Sequence, residues 1–330
     1  MASSSSLNLS NGIHYGVPTV VEDPLSPQHL FDVQGLVAVI TGGGSGIGRM
    51  MAAALENNGA TVYIVGRRLD VLQSTAQEIS KHGNIIPLEG DVTDRDSLLS
   101  LVDVVKDRHG YIDLLVNNAV AGIARNLYDH PLPSPGDCSP ISDPPDSPDS
   151  APSVPSIKSF QAALWGDSGS AEDFADTFAT NVTSVYYTTV AFMDLLHQGN
   201  IRKQEKSSNS MGRWRPPHHS SQVISVSSSG GFRLDSKVLS PSYTLAKAAC
   251  THLATFSPPG VFPSEMTSGI FPEVGLGPAA YIDSVPLKRA GTEEEMAGAI
   301  LFLASRAGAY VNCAVWLVDG GRVGSVPSSY

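Results

Sequence analysis

"LVAVITGGGSGIGRMMAAALENNGATVYIVGRR", residues 36–68, decides how this chain folds. Leu36 to Ile40 is an apolar run of strand length. Thr61 to Val65, "TVYIV", is a second, rich in β-branched residues. Between them, Ile47 to Glu56 is rich in Ala, Met and Leu, which favour helix. Strand, helix and strand in this order and length read as one βαβ unit. At the first junction, "TGGGSGIG" spaces Gly42, Gly46 and Gly48 as G-x-x-x-G-x-G. Glycines let the backbone turn tightly and approach a pyrophosphate. The helix N-terminus adds N–H donors and a partial positive charge. An ordinary Gly-rich turn is the competing reading, and the flanking strands and helix argue against it.

The pattern repeats along the chain. Residues 69–81 predict a helix, 85–88 a strand, 94–108 a helix, and "DLLVNNA" from Asp113 a strand. Helix returns over 171–196 and strand at "QVISVSS" from Gln222. A helix at "TEEEMAGAILFLAS" opens with Thr292 as N-cap and Glu295 three residues on, a capping box. "CAVWLVDGG" from Cys313 reads as the last strand. Alternating strands and helices predict an α/β fold, a doubly wound parallel sheet covered on both faces in three layers.

The remaining segments are polar. Residues 1–34 read as a poorly ordered N-terminal arm, and 35–325 as a single domain. Low-complexity insertions are expected at 131–157, dominated by Pro, Ser and Asp, and at 198–220. The net charge of −11, with scattered Lys and Arg, argues against nucleic acid as a partner. Cys138, Cys250 and Cys313 stand far apart, which fits neither a disulfide framework nor a zinc site and suits a reducing compartment. His218 and His219 read as a solvated loop, and no metal is expected. The N-terminus lacks the apolar core of a signal peptide or membrane span, so a soluble, cytoplasmic protein is expected.

Chemistry is carried by a few side chains. The second strand ends in Gly66, Arg67 and Arg68 where a carboxylate would select a ribose 2′-hydroxyl. Arginine there favours a 2′-phosphate by a charge-assisted bond, and hence NADP(H) over NAD(H). A solvated surface pair is the alternative. Tyr243 and Lys247 lie at i and i+4 and share one helix face. A phenol beside an ammonium ionises more easily and can exchange a proton with a substrate oxygen at neutral pH. Ser227, Ser228 and Ser229 end a strand, where a hydroxyl can bond a carbonyl.

"TGGGSGIG", "NNA" from Asn117, "NVTS" from Asn181, the serine run, "YTLAK" from Tyr243 and "PPGVFPSEMT" from Pro258 occur in the order of the short-chain dehydrogenase/reductase family. Together they make the chain similar to that family's NADP-preferring branch over roughly residues 35–322, in particular to 3-oxoacyl-carrier-protein reductases and the rhamnolipid-biosynthesis type. The resemblance implies a Rossmann-type fold and reduction of a ketone, 3-oxoacyl or polyketide-like, to a secondary alcohol. It implies that Tyr243 is the proton donor and that Lys247 binds the nicotinamide ribose and lowers the Tyr243 pKa. It makes Ser228 the family serine and gives Asn181 a water in the proton relay. Thr41, Gly42, Ser45, Gly46, Ile47 and Gly48 would cradle the cofactor with Arg67. Asp91 and Val92 would contact adenine, Asn118 would lie by the adenosine ribose, and Thr267 would touch the carboxamide. A small carbonyl substrate and a homo-oligomer are implied as partners.

Two departures stand out. Val120 and Ala121 look inserted after "NNA". More seriously, only "AACTHLATFSPP" separates Lys247 from Gly260. Three more helical turns and a strand need roughly 20 residues. The helix is therefore expected to end near Phe256, with the sixth strand missing or replaced. Shortening at 248–258 supports an alternative function: an impaired or regulatory relative that binds nucleotide without turnover.

Overall fold

The computed structural model describes residues 23–120, 165, 170–208, 220–232, 241–253, 262–263, 285–325 and 328–329. Five strands form one parallel sheet among them: β1 (Val37–Thr41), β2 (Thr61–Gly66), β3 (Ile85–Glu89), β4 (Leu114–Asn117) and β5 (Gln222–Ser225), in the order β3-β2-β1-β4-β5. The order reverses at β1, so the loops after β1 and β4 open a crevice at the carboxyl ends of the strands. The apolar runs become strands because both sheet faces are covered. Ala38, Ile40, Val62, Ile64 and Val116 point into one core with Met51, Leu55, Met296 and Ile300. Val37, Val39, Tyr63, Val65 and Leu115 point into the other with Leu98, Val105, Phe192 and Leu195. Alternate residues serve opposite faces, as the strand pleat requires.

The helices that fill these layers are α1 (Pro27–Leu30), α2 (Gly46–Asn57), α3 (Leu69–Ile79) and α4 (Arg95–His109) in the first half of the chain. They are followed by α5 (Ala171–Phe178), α6 (Ser184–Ala191), α7 (Met193–Ser208), α8 (Pro241–Leu253) and α9 (Glu293–Ala304). The Thr292/Glu295 capping box that the sequence predicts is formed. The result is a single α/β domain with helices on both faces of the sheet.

Three expectations are corrected. The arm is ordered from residue 23: Ser26 caps α1, Val33 is buried, and the Gly35 amide donates to the Gly59 carbonyl. The second insertion is half helix, because α7 runs on to Ser208. Its polar extension is anchored by a buried acceptor: the Arg202 guanidinium donates to Asp113 at 2.9 and 3.0 Å and lies over the Tyr111 ring, and Lys203 lies 3.1 Å from the same carboxylate. "CAVWLVDGG" gives only isolated bridges at Val315 and Val318. A strand forms where it can pair with a neighbour, and here a cavity lies between β5, at Gln222–Ile224, and Ala314 and Trp316. The expected helix end near Phe256 and the sixth-strand region fall on 254–261, outside the described residues, as do the first insertion, at 131–157, and Thr267.

Glu56 is a polar keystone on this side of the sheet. It is fully buried and accepts from the Ser80 hydroxyl and the amides of Lys81, His82 and Asn84. Burial pushes its carboxyl up, but these four donors together outweigh it and hold the pKa below the usual 4.5. Glu56→Ala is expected to cost about 1–3 kcal/mol at pH 7, since it leaves amides without an acceptor. A depressed pKa stabilises above the unfolded value and is lost as pH falls through the folded one. The wild-type advantage in denaturant melts should therefore narrow as pH drops below 4.5.

Candidate active site

The glycine loop is built on backbone contacts that only glycine permits. Gly42 and Gly46 have φ of 65° and 51°, in the left-handed region. A Cβ on Gly48 would lie 2.3 Å from the Gly42 carbonyl oxygen. Ser45 is the N-cap of α2 but its side chain makes no capping bond. The start of α2, Ile47 included, thus offers main-chain N–H groups beside a cradle with no side chain in it. That chemistry fits a pyrophosphate.

Thr41 and Asn118 hold the loop in place. The Thr41 hydroxyl accepts from the amides of Asn118 (2.9 Å) and Ala119 (3.1 Å). The Asn118 side-chain amide donates to the carbonyls of Thr41 and Gly42, both at 3.1 Å. β4 ends at Asn117 because these groups turn away from the strand ladder to the glycine loop. Both residues are buried. In the described geometry they tie β4 to β1, a role that the motif alone did not reveal. Ala119 keeps its close approach to Gly42, while Ala121 lies outside the described residues.

Arg67 is exposed at the end of β2. It acts on Asp91, at the end of β3. Partial burial raises the Asp91 carboxyl, but bonds from the Thr93 hydroxyl and amide and the Arg67 charge hold it below the ordinary carboxylate value. Val92 beside it is buried in the second core. Arg49, one residue past the loop, is tied to Glu78 at 3.4 Å.

The proton-handling residues come from three elements in contact. Asn181 is fully buried in a π-helical turn, Ala179–Thr183, between α5 and α6, and its amide donates to the Thr177 carbonyl. Such turns mark functional sites frequently. Ser228 follows β5, and its hydroxyl accepts from the Gly230 amide as the chain enters a 3₁₀ turn, Ser229–Phe232. α8 packs on that turn, on the π turn and on α5. It carries Tyr243 and Lys247 on one face, 4 % and 1 % exposed, with the Lys247 nitrogen 5.9 Å from the Tyr243 ring centre. That nitrogen donates to the Val226 carbonyl at 3.0 Å. Burial lowers the Lys247 pKa, opposed by the neighbouring Cys250, whose own thiol burial pushes up. A buried lysine with three donors keeps donor capacity beyond Val226.

Asn181, Ser228, Tyr243 and Lys247 are thus gathered in one packed unit. Ser227 and Thr251 bind the Lys247 backbone; the sequence marked Ser227 only as one of three strand-end hydroxyls and Thr251 not at all, because their partner is a main-chain carbonyl. Among the described residues no three His, Cys, Asp or Glu side chains form a metal-binding group, and no helix is long and apolar enough to cross a membrane.

Known proteins are similar to this chain over most of its length. The short chain dehydrogenase family pattern matches residues 36–133, and the enoyl-(acyl carrier protein) reductase pattern matches 258–322. The short-chain dehydrogenase/reductase VdtF of Byssochlamys spectabilis is 40% identical, covering 93% of this chain and 98% of its own length. PhomF of Diaporthe leptostromiformis is 39% identical over 91% and 96% of the two chains. The solved structure of a Pseudomonas aeruginosa RhlG/NADP active-site complex superposes with a TM-score of 0.64 at 24% identity, covering 89% and 98%. It shares the fold.

Proposed function

The chain belongs to the short-chain dehydrogenase/reductase family and is an NAD(P)-dependent oxidoreductase, and from that premise we propose that it uses NADPH to reduce a ketone, 3-oxoacyl or polyketide-like, to a secondary alcohol. The observation that carries the reading is the packed Asn181–Ser228–Tyr243–Lys247 unit at the carboxyl end of β5, two strands along the sheet from β1 and its glycine loop. NADPH, when bound, supplies the hydride. Ser228 donates a hydrogen bond to the ketone oxygen and fixes it. Tyr243 passes its phenolic proton to that oxygen as the carbonyl becomes an alcohol. Lys247 stabilises the phenolate left behind, and its remaining donors serve the ribose. Asn181 holds the water that reprotonates the pair. Residues 42–48 would hold the pyrophosphate of the bound cofactor, and Asp91 and Val92 would border its adenine.

The preference for NADPH rests on Arg67. A charge-assisted bond to a 2′-phosphate is worth about 1.5–3 kcal/mol. Arg67→Ala should therefore weaken NADPH binding by about 10- to 100-fold and leave NADH binding nearly unchanged, measured by nucleotide titration. Equal loss for both nucleotides overturns the preference. A panel of 3-oxoacyl thioesters and polyketide-like ketones, with NADPH oxidation followed at 340 nm, tests the activity. One observation favours a second reading, nucleotide binding without turnover: only "AACTHLATFSPP" separates Lys247 from Gly260, too short for the rest of the helix and a strand. A melt raised by NADPH together with no oxidation on the panel selects that reading.

A further inference from the structure

Lys247 is held at both ends by two consecutive residues. Its side-chain nitrogen donates to the Val226 carbonyl at 3.0 Å. Its backbone carbonyl accepts from the Ser227 hydroxyl at 2.9 Å. The Thr251 hydroxyl, one turn on, reaches the same carbonyl at 2.9 Å and lies 2.5 Å from the Ser227 hydroxyl. Each hydroxyl has a single proton. The pair is satisfied when one hydroxyl donates to the other and the second donates to the Lys247 carbonyl, and in either direction Ser227 is bonded to α8. Ser227 is 3 % exposed, so solvent offers no ready substitute. Below it, the 3₁₀ turn meets α8 backbone to backbone: a Cβ on Gly231 would lie 2.8 Å from the Lys247 carbonyl carbon and 2.9 Å from the Ala248 nitrogen.

We propose that Ser227 and Thr251 form a clamp that sets the height of α8 against the end of β5, so that Tyr243 meets the substrate oxygen held by Ser228. They are positioning residues. The inference rests on the reading above for the reaction, but the clamp itself has a readout without it. Ser227 and Ser228 are adjacent in the chain, so the bond that fixes α8 to Ser227 also fixes it to Ser228. A proton donor must stand within about 2.6–3.2 Å of the oxygen it serves. A misplacement of about 1 Å costs about 100-fold in rate. Neither Gly231, which allows the approach, nor the Val226 carbonyl, which holds only the lysine tip, sets the helix height.

The test is Ser227→Ala, Thr251→Val, their double variant and Thr251→Ser as the conservative control. Ser227→Ala should lower kcat by about 10- to 100-fold, with KM and NADPH affinity within about threefold. The alkaline limb of the pH profile should move to higher pH. Reduction needs Tyr243 protonated. When α8 shifts, the Lys247 tip stays on the Val226 carbonyl while Tyr243 moves with the helix, so the phenol is less well apposed to the ammonium and keeps its proton longer. Thr251→Ser should retain activity, and the double variant should lose less than the product of the single losses, because the two act as a unit. A fall in kcat that merely follows a fall in melting temperature, with the pH limb unmoved, overturns the clamp. The second readout needs no substrate. The Tyr243 titration is read as the difference in phenolate absorbance between each protein and its Tyr243→Phe counterpart. It should shift upward in Ser227→Ala. If the parent protein reduces nothing on the ketone panel, the reaction assignment falls. The clamp then stands or falls on this titration, and an unmoved Tyr243 overturns it.

Discussion

Tyr243→Phe is expected to lower kcat for ketone reduction by about 10²- to 10⁴-fold, the range in which a positioned general acid contributes. The substitution removes the phenolic oxygen and keeps the ring. Tyr243 is 4 % exposed on α8, between the Ser228 turn and the Asn181 turn. The ring's packing and its place 5.9 Å from the Lys247 nitrogen are preserved. NADPH affinity and melting temperature should therefore hold while turnover collapses. Single-turnover NADPH oxidation in the variant separates loss of chemistry from loss of binding. A variant that keeps more than about a tenth of wild-type kcat would remove Tyr243 as proton donor and move the search to Ser228.

Asp113→Ala is expected to be the most damaging change away from the site, at about 3–5 kcal/mol. Asp113 is 3 % exposed, accepts from the Val37 amide and from Arg202 twice, and forms an ion pair with Lys203 at 3.1 Å. Removing it leaves two cations facing each other at the start of β4 with no carboxylate between them. Breaking such a buried set costs more than the set itself contributes, because the remaining charges stay partly desolvated. Burial already lowers the Lys203 pKa, and Asp113 works against that shift. Against a total stability of about 5–15 kcal/mol, the loss should show as a large drop in the denaturant midpoint. Restoring length and hydrogen bonding with Asp113→Asn should recover part of it. A midpoint within about 0.5 kcal/mol of wild type would mean that water satisfies Arg202 and Lys203.

The two changes differ in how far the sequence foretold them. Tyr243 and Lys247 were legible because four residues on a helix bring two side chains to one face, whatever the rest of the chain does. Asp113 was not. Its partners lie 89 and 90 positions away in a stretch that reads as a polar insertion. Nothing in "NIRKQEK" says that two of its cations turn inward. Thr41 and Asn118 were named as cofactor contacts, and the structure adds a task that the motif did not announce. Their residue types suit a nucleotide site, but their hydrogen bonds go to each other's backbone.

Local order was therefore written in the sequence. The apolar runs of β1 and β2, the glycines that only a tight turn can use, the Thr292 capping box and the Tyr–Lys spacing depend on neighbours within about one helical turn or one strand. Tertiary structure decided whatever depends on a distant partner. It extended α7 to Ser208 because Asp113 was waiting for its cations. It reduced "CAVWLVDGG" to bridges because the segment faces β5 across a cavity instead of pairing with its edge. It set Ser227 on the Lys247 carbonyl because β5 and α8, apart in sequence, pack with no side chain between Gly231 and the helix backbone.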